Sequence, residues 1–245
     1  MTGFQETAAV PESAPALRSE LSAIAWWVLV GTASGAIAGF VVGGIGGRLA
    51  MLLLRLTSSD LVIGVTSDDG FKIGIVSTQT FSLLFLTTAL GAANGALYAA
   101  LRETIPARLR LPLWAGFAAL VGGANFVHED GVDFTLVSPA LLAISLFVLL
   151  PGVAAALVVL LVERWSREPE WQSRRFSSVV VGASLASTVA LVPAALVASA
   201  ALFVRSMGVR ERFVRTGRVV VPLALVALGI AAGIELAFES SRILR

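Results

Sequence analysis

One short segment, residues 128–133 (HEDGVD), carries side chains that could bind a divalent cation. Carboxylate oxygens are the ligands that Ca²⁺ and Mg²⁺ prefer, and the glycine permits a sharp turn. The spacing matches no complete cation-binding loop, and a solvated acidic loop explains the same residues. The sequence therefore predicts no metal site and no cofactor, and it leaves four weak ligand candidates: His128, Glu129, Asp130 and Asp133.

A second set of polar side chains lies inside long apolar runs. In a membrane, an amide needs an interhelical hydrogen bond or a polar path, and a buried charge needs a partner. Glu235 is near the end of its run, where it can reach water, and Arg48 is its candidate counter-charge. A structural role and a path for a small solute are both open for these residues: Arg48, Asn94, Asn125 and Glu235.

Recognisable catalytic motifs are missing. The sequence has no glycine-rich phosphate loop followed by Lys-Ser or Lys-Thr, no Gly-x-Ser-x-Gly turn and no His-Glu-x-x-His pair. With no cysteine and one histidine, a single chain has no thiolate nucleophile and no multi-histidine metal site. We predict no catalytic residues, and the sequence leans against an enzyme.

The elements that carry these residues are apolar helices. The chain has 245 residues, of which 57% are hydrophobic and 14% charged, whereas an ordinary soluble domain has roughly 25% charged residues. Several apolar runs reach the roughly 20 residues that cross a bilayer. Most of the cations lie in short segments between these runs, which suits phospholipid headgroups and not nucleic acid.

The pattern predicts an all-α membrane protein, a bundle of about six transmembrane helices. Residues 1–20 are predicted to be a disordered tail, and residues 21–245 a single membrane domain. Segment 57–80 alternates apolar and polar residues around a Ser-Asp-Asp-Gly turn, which predicts a short extracytoplasmic β-hairpin-like loop. The predicted spans are 21–56, 81–101, 113–126, 137–162, 176–204 and 219–238.

Glycine recurs at every fourth position of the first run. This spacing creates a groove without side chains along one helix face and lets a second helix approach closely. A shorter version occurs in the second run. The predicted helix-packing residues, whether within the chain or against a partner, are Gly31, Gly35, Gly39, Gly43, Gly47, Gly91 and Gly95.

The number of crossings is open between six and five. Cations are retained on the cytoplasmic side of a membrane. Six crossings leave segment 205–218, with its five arginines, on the outer side, against this rule. Five crossings, with the fifth run broken at Pro193 and re-entrant, return the segment to the inner side.

Three segments resemble a family of multi-spanning actinobacterial membrane proteins to which no activity is assigned. They are GGRLAMLLLRLTS, GVTSDDGFKIG and DGVDFTLVSPALLAISLFVLLPG. The resemblance implies a helical membrane fold in a bacterial plasma membrane, and it implies no substrate and no site residue.

Two functions are compatible with the sequence. The first is a non-enzymatic multi-pass membrane protein that acts through helix packing, as an accessory subunit or a homo-oligomer. The alternative is a small-solute or ion transporter with a path lined by Asn94, Asn125 and Glu235. The expected partners are the lipid bilayer and a second copy or another membrane protein.

Overall fold

The computed structural model describes residues 13–58, 78–129, 139–167 and 210–245. These residues are almost all helical, and no strand occurs among them. The helical class predicted from the sequence is confirmed. In chain order the helices are α1 (Ser13–Ala38), a π-helix (Gly39–Gly46), α2 (Gly47–Thr57), α3 (Thr78–Leu101), a short 3₁₀ helix (Ala107–Leu109), α4 (Arg110–Phe126), α5 (Ala140–Arg167) and α6 (Arg210–Ile243).

Four of these segments are long and apolar enough to cross a membrane: Trp26–Thr57, Thr80–Leu101, Ala140–Ser166 and Val214–Ile243. Helix α4 has 17 residues and covers the predicted span 113–126. Helix α1 begins at Ser13, so it includes residues predicted to belong to the tail. Residues 1–12, most of the predicted hairpin (59–77) and the predicted fifth span (176–204) lie outside the described residues.

The outer surface of the bundle is rich in large apolar side chains. Such a surface is costly in water but natural in a bilayer, because lipid tails are as apolar as leucine. Helices suit this solvent because they satisfy their backbone hydrogen bonds internally. Along α6 the exposed apolar residues include Val219, Leu223, Leu228, Ile230, Ile234 and Phe238.

The helices pack in a defined order around a main core, and a second buried cluster towards one end of the bundle includes Leu54, Val127 and Leu236. Helix α3 lies along α1 and the π-helix, α5 contacts α1, α3 and α4, and α6 packs on α4. Trp114 and Tyr98 are the largest fully buried side chains, and Val158 and Val162 of α5 pack in the same cluster. The main core therefore lies where α1, α3, α4 and α5 meet.

The two ends of the bundle differ in charge. One end, here called the arginine face, contains Arg102, Arg108, Arg110, Arg164, Arg215 and Arg218. The opposite face contains fewer described arginines (Arg55, Arg242 and Arg245) and, near them, His128, Glu129 and Glu239. Glu239 accepts a hydrogen bond there from the Glu129 backbone N–H at 2.8 Å. Glu163, near the end of α5, contacts Arg102, so α5 ends at the arginine face.

Helix α6 begins at the same face at which α5 ends. Near its start, Gly217 packs against Thr104, the residue that follows Glu103 in the α3–α4 turn, and a Cβ atom on Gly217 would lie 2.7 Å from Thr104 Cγ2. Further along, Leu236 lies beside Gly123 of α4. The helix therefore runs parallel to α4 and antiparallel to α5.

We expect single-cysteine variants to report these two faces. The natural chain has no cysteine, so each variant carries one label site. Arg108 and Arg215 are exposed at the arginine face, and His128 and Arg245 are exposed at the opposite face. Because cations are retained in the cytoplasm, an impermeant maleimide added to intact cells should label His128→Cys and Arg245→Cys. The variants Arg108→Cys and Arg215→Cys should react only after permeabilisation.

Labelling of Arg215→Cys together with His128→Cys in intact cells would contradict the shared face of the α5 end and the α6 start. The Arg108→Cys variant is the internal reference in this experiment, since α3 and α4 fix its position independently of α6.

Candidate functional site

A charge cluster joins three helices at the arginine face. Glu163, near the end of α5, receives hydrogen bonds from Tyr98 Oη at 2.9 Å and from Arg102 Nε at 3.2 Å, both on Oε1. Arg110 Nη1 lies 3.0 Å from each carboxylate oxygen. The three charged side chains are 13–19% exposed. One carboxylate thus holds the ends of α3, α4 and α5 together.

Local sequence spacing brings these groups to one place. Tyr98 and Arg102 are four residues apart and therefore share one face at the end of α3. Arg110 is the first residue of α4, and its Nε also donates to the Ile105 carbonyl oxygen at 3.2 Å. The guanidinium carbon of Arg102 lies 4.1 Å from the ring centroid of Trp27 of α1, a cation–π contact.

The arrangement suits an anchor better than a reactive centre. Both carboxylate oxygens of Glu163 accept from charged or phenolic donors, and such charge-assisted bonds are the strong ones. A carboxylate with these partners is a poor proton acceptor for a substrate, because protonation would break its bonds to two arginines.

The glycine stripe divides into two parts. Gly31, Gly35 and Gly39 face Gly91 and Gly95 of α3 so closely that added Cβ atoms would clash with the opposing backbone. On Gly91, for example, a Cβ atom would lie 2.6 Å from Gly39 Cα. The predicted packing residues of the two runs thus meet within the chain, and we call this contact the glycine seam.

The stripe leaves the seam beyond the π-helix, whose first residue, Gly39, still packs against Gly91. The contact with α3 then loosens along the stripe. At Gly43 an added Cβ would lie 3.0 Å from Thr87 Cβ, and at Gly47 nothing lies within 4 Å. The helices separate here and leave space between them.

That space is an apolar cavity of about 350 Å³. Its wall comes from the end of α1, the π-helix, α2, α3, α4 and α5. It includes Gly43, which still contacts Thr87, and Gly47, which has nothing within 4 Å of an added Cβ atom. Phe117, Phe126 and Phe147 provide aromatic surface. Small-molecule sites in proteins are mostly apolar clefts of roughly 300–1,000 Å³ with few polar groups.

Asn94 is the polar group of this cavity with the best-defined orientation. Its side-chain oxygen accepts a hydrogen bond from Trp114 Nε1 at 3.2 Å. Trp114 is fully buried and packs against Tyr98, with the ring centroids 5.4 Å apart. The amide is therefore held by the same core that carries the charge cluster.

The other intramembrane polar candidates lie apart from the cavity. Asn125 donates to the Val121 carbonyl oxygen of its own helix at 2.7 Å and is exposed, as is Glu235. Arg48 donates to Thr80 Oγ1 at 2.9 Å, and no described contact joins it to Glu235. The structure therefore does not bring the predicted polar residues together on one path.

The weak metal candidates are only partly described. Glu129 forms an ion pair with Arg242 at 2.7 Å, and both side chains are exposed, at 44% and 56%. His128 Nε2 lies 3.1 Å from the Asn125 carbonyl oxygen. Within the described ranges, no group of three His, Asp or Glu side chains could hold a metal ion; Asp130 and Asp133 lie outside them.

No protein-family model, curated protein or solved structure matches this chain. Its function is therefore inferred from the charge cluster, the glycine seam and the cavity.

Sequence reasoning missed the charge cluster. Glu163, Arg102 and Arg110 lie at the ends of apolar runs, where charged residues are expected in any membrane protein. One signal was available: the chain's single tyrosine, Tyr98, precedes Arg102 by one helical turn inside an otherwise apolar run. A polar side chain at that depth needs a partner, and Glu163 ends the most apolar helix at the same face.

Proposed function

We propose that this chain is a non-enzymatic multi-pass protein of a bacterial plasma membrane, and that it acts through helix packing as an accessory subunit or a homo-oligomer. The observation that carries the proposal is the glycine seam. Backbone contact between α1 and α3, reinforced by Glu163 at one end, makes a rigid body with an apolar outer surface. Such a body can present fixed helix faces to another subunit or copy.

The proposed topology has five crossings, with the arginine face in the cytoplasm. Support comes from the shared face of the α5 end and the α6 start, which satisfies the positive-inside rule for Arg210, Arg215 and Arg218. Six crossings, the number predicted from the sequence, would require the α5 end and the α6 start to lie on opposite faces, so five crossings are the better-supported topology. The β-hairpin-like loop predicted at 57–80 lies mostly outside the described residues. The resemblance to actinobacterial membrane proteins agrees with a plasma-membrane location.

Native mass spectrometry tests this function directly. The protein is extracted from its own membrane in a mild detergent, and the same preparation in a harsh detergent serves as the control for non-covalent association. We expect a second copy or a second polypeptide at a fixed ratio, lost in the harsh detergent. A chain that stays monomeric under both conditions contradicts the proposal.

A small-solute or ion transporter is the second candidate. One observation favours it: Asn94 is on the wall of a membrane-embedded cavity. Two observations weigh against it, since Asn125 and Glu235 are both exposed and neither is among the described residues that line the cavity with Asn94. A monomer in the mild detergent would favour this candidate over an accessory subunit.

A further inference from the structure

The cavity pairs apolar walls with one oriented hydrogen-bond donor. We propose that it binds a neutral, chain-bearing molecule whose single carbonyl or hydroxyl oxygen accepts a hydrogen bond from the Asn94 side-chain nitrogen. This inference does not depend on the accessory-subunit proposal, because it concerns the interior of the bundle and not its outer surface.

The donor follows from the chemistry of Trp114. An indole N–H can only donate, so the Asn94 amide must direct its oxygen towards Trp114 Nε1, 3.2 Å away. The amide NH₂ group then points elsewhere with two hydrogens. Among the described residues it has no hydrogen-bond partner. A donor in an apolar environment gains from an acceptor, which the ligand would supply.

The shape of the cavity suits a ligand with one polar end and one apolar chain. Along α3 its wall extends from Asn94 to Leu83, which is about 16 Å at 1.5 Å per residue. The walls beyond Asn94 are largely apolar, formed among others by Met51, Leu54 and Leu146. The volume of about 350 Å³ is at the lower end of the range of roughly 300–1,000 Å³ that is typical of small-molecule sites.

Charge and depth exclude a phospholipid headgroup. None of the described residues that line the cavity is charged, so an ionised ligand would lose its hydration without compensation. Asn94 precedes Arg102 by eight residues, about 12 Å of helix. If Arg102 lies at headgroup level, Asn94 lies well inside the hydrocarbon layer, deeper than the ester groups at its boundary. The ligand is therefore neutral and dissolves in the bilayer interior.

The test compares two probes of equal size, methyl undecyl ketone and tetradecane, which have the same number of heavy atoms. Binding to the full-length protein in detergent is measured by native mass spectrometry over a range of probe concentrations. We expect the ketone to bind about tenfold more tightly than the alkane, the equivalent of one net hydrogen bond. In Asn94→Leu this preference should fall to less than about twofold.

The variant Gly47→Leu provides an independent test, because Gly47 is on the cavity wall with nothing within 4 Å. The larger side chain should fill the cavity without disturbing the fold, and binding of both probes should fall by more than about tenfold. Gly116→Leu is the matched control, since Gly116 also has nothing within 4 Å and is not on the wall; it should bind as the natural protein does.

Three results would overturn the proposal. They are equal affinity for ketone and alkane in the natural protein, an unchanged ketone preference in Asn94→Leu, and unchanged binding in Gly47→Leu. The first would mean that the cavity takes acyl chains without recognising a head, and the last that the probes bind elsewhere. The first and third results do not depend on whether Asn94→Leu folds.

Discussion

Replacing Glu163 with glutamine is expected to lower the free energy of unfolding by about 3 kcal/mol or more, since removing one partner of a buried ion pair leaves charge uncompensated. Glutamine has nearly the same shape but no negative charge, so Arg102 and Arg110 would face each other over a neutral amide. Their side chains are 13% and 18% exposed, which limits the relief that water can offer. Unfolding in detergent micelles, followed by circular dichroism, measures the loss.

The matched control for this substitution is Glu129→Gln. Glu129 also pairs with one arginine, Arg242, at 2.7 Å, but both side chains are exposed. Exposed ion pairs contribute about 0–1 kcal/mol, so Glu129→Gln should change the free energy of unfolding by less than about 1 kcal/mol. Equal losses in the two variants would mean that Glu163 is not the anchor of α3, α4 and α5.

Two glycine-to-alanine substitutions in the same stripe are expected to differ in their effect: one should lower the free energy of unfolding, and the other should not. At Gly35 the new methyl group would lie 2.7 Å from the backbone carbonyl carbon of Gly91 and 2.9 Å from Ala92 Cα. Backbone atoms cannot rotate away, so α1 and α3 must separate. Overpacking of this kind costs typically 1–3 kcal/mol and occasionally more, and we expect about 3 kcal/mol for Gly35→Ala.

At Gly47 the same methyl group meets nothing within 4 Å. Alanine is a better helix former than glycine by about 1 kcal/mol in peptides. The free energy of unfolding of Gly47→Ala should therefore stay constant or rise by up to about 1 kcal/mol. Thermal unfolding of the two variants in one detergent is the measurement. A loss at Gly47 as large as at Gly35 would show that Gly47 also belongs to the seam.

The helices could be predicted from the sequence because the length of each apolar run can be compared with the number of residues needed to cross a bilayer. The predicted run 81–101 corresponds to Thr78–Leu101, and 137–162 to Ala140–Arg167. The spacing of Gly91 and Gly95 also marked the helix that meets α1. These features depend on residues close together in the chain, and the amino-acid composition and the spacing of the glycines determine them.

The site could not be predicted because it depends on which helices are neighbours. Nothing in the spacing of Glu163 relates it to Arg110, 53 residues earlier. The division of the glycine stripe depends on how far α3 follows it, from Gly31 to Gly43 but not to Gly47, and the four-residue repeat does not indicate that end point. Asn94 was identified as polar, but its orientation required Trp114.

The separation of Arg110 and Glu163 has a consequence for biosynthesis. Arg102 and Arg110 leave the ribosome 61 and 53 residues before the carboxylate, a delay of roughly 3–12 s at about 5–20 residues per second. During that interval α1 and α3 can already associate, because the glycine seam needs no charge. The arginines meanwhile can extend to the headgroups. Nascent chains should thus acquire their first helix pair from shape alone, and the arrival of Glu163 then fixes α5 before α6 (Arg210–Ile243) is synthesised.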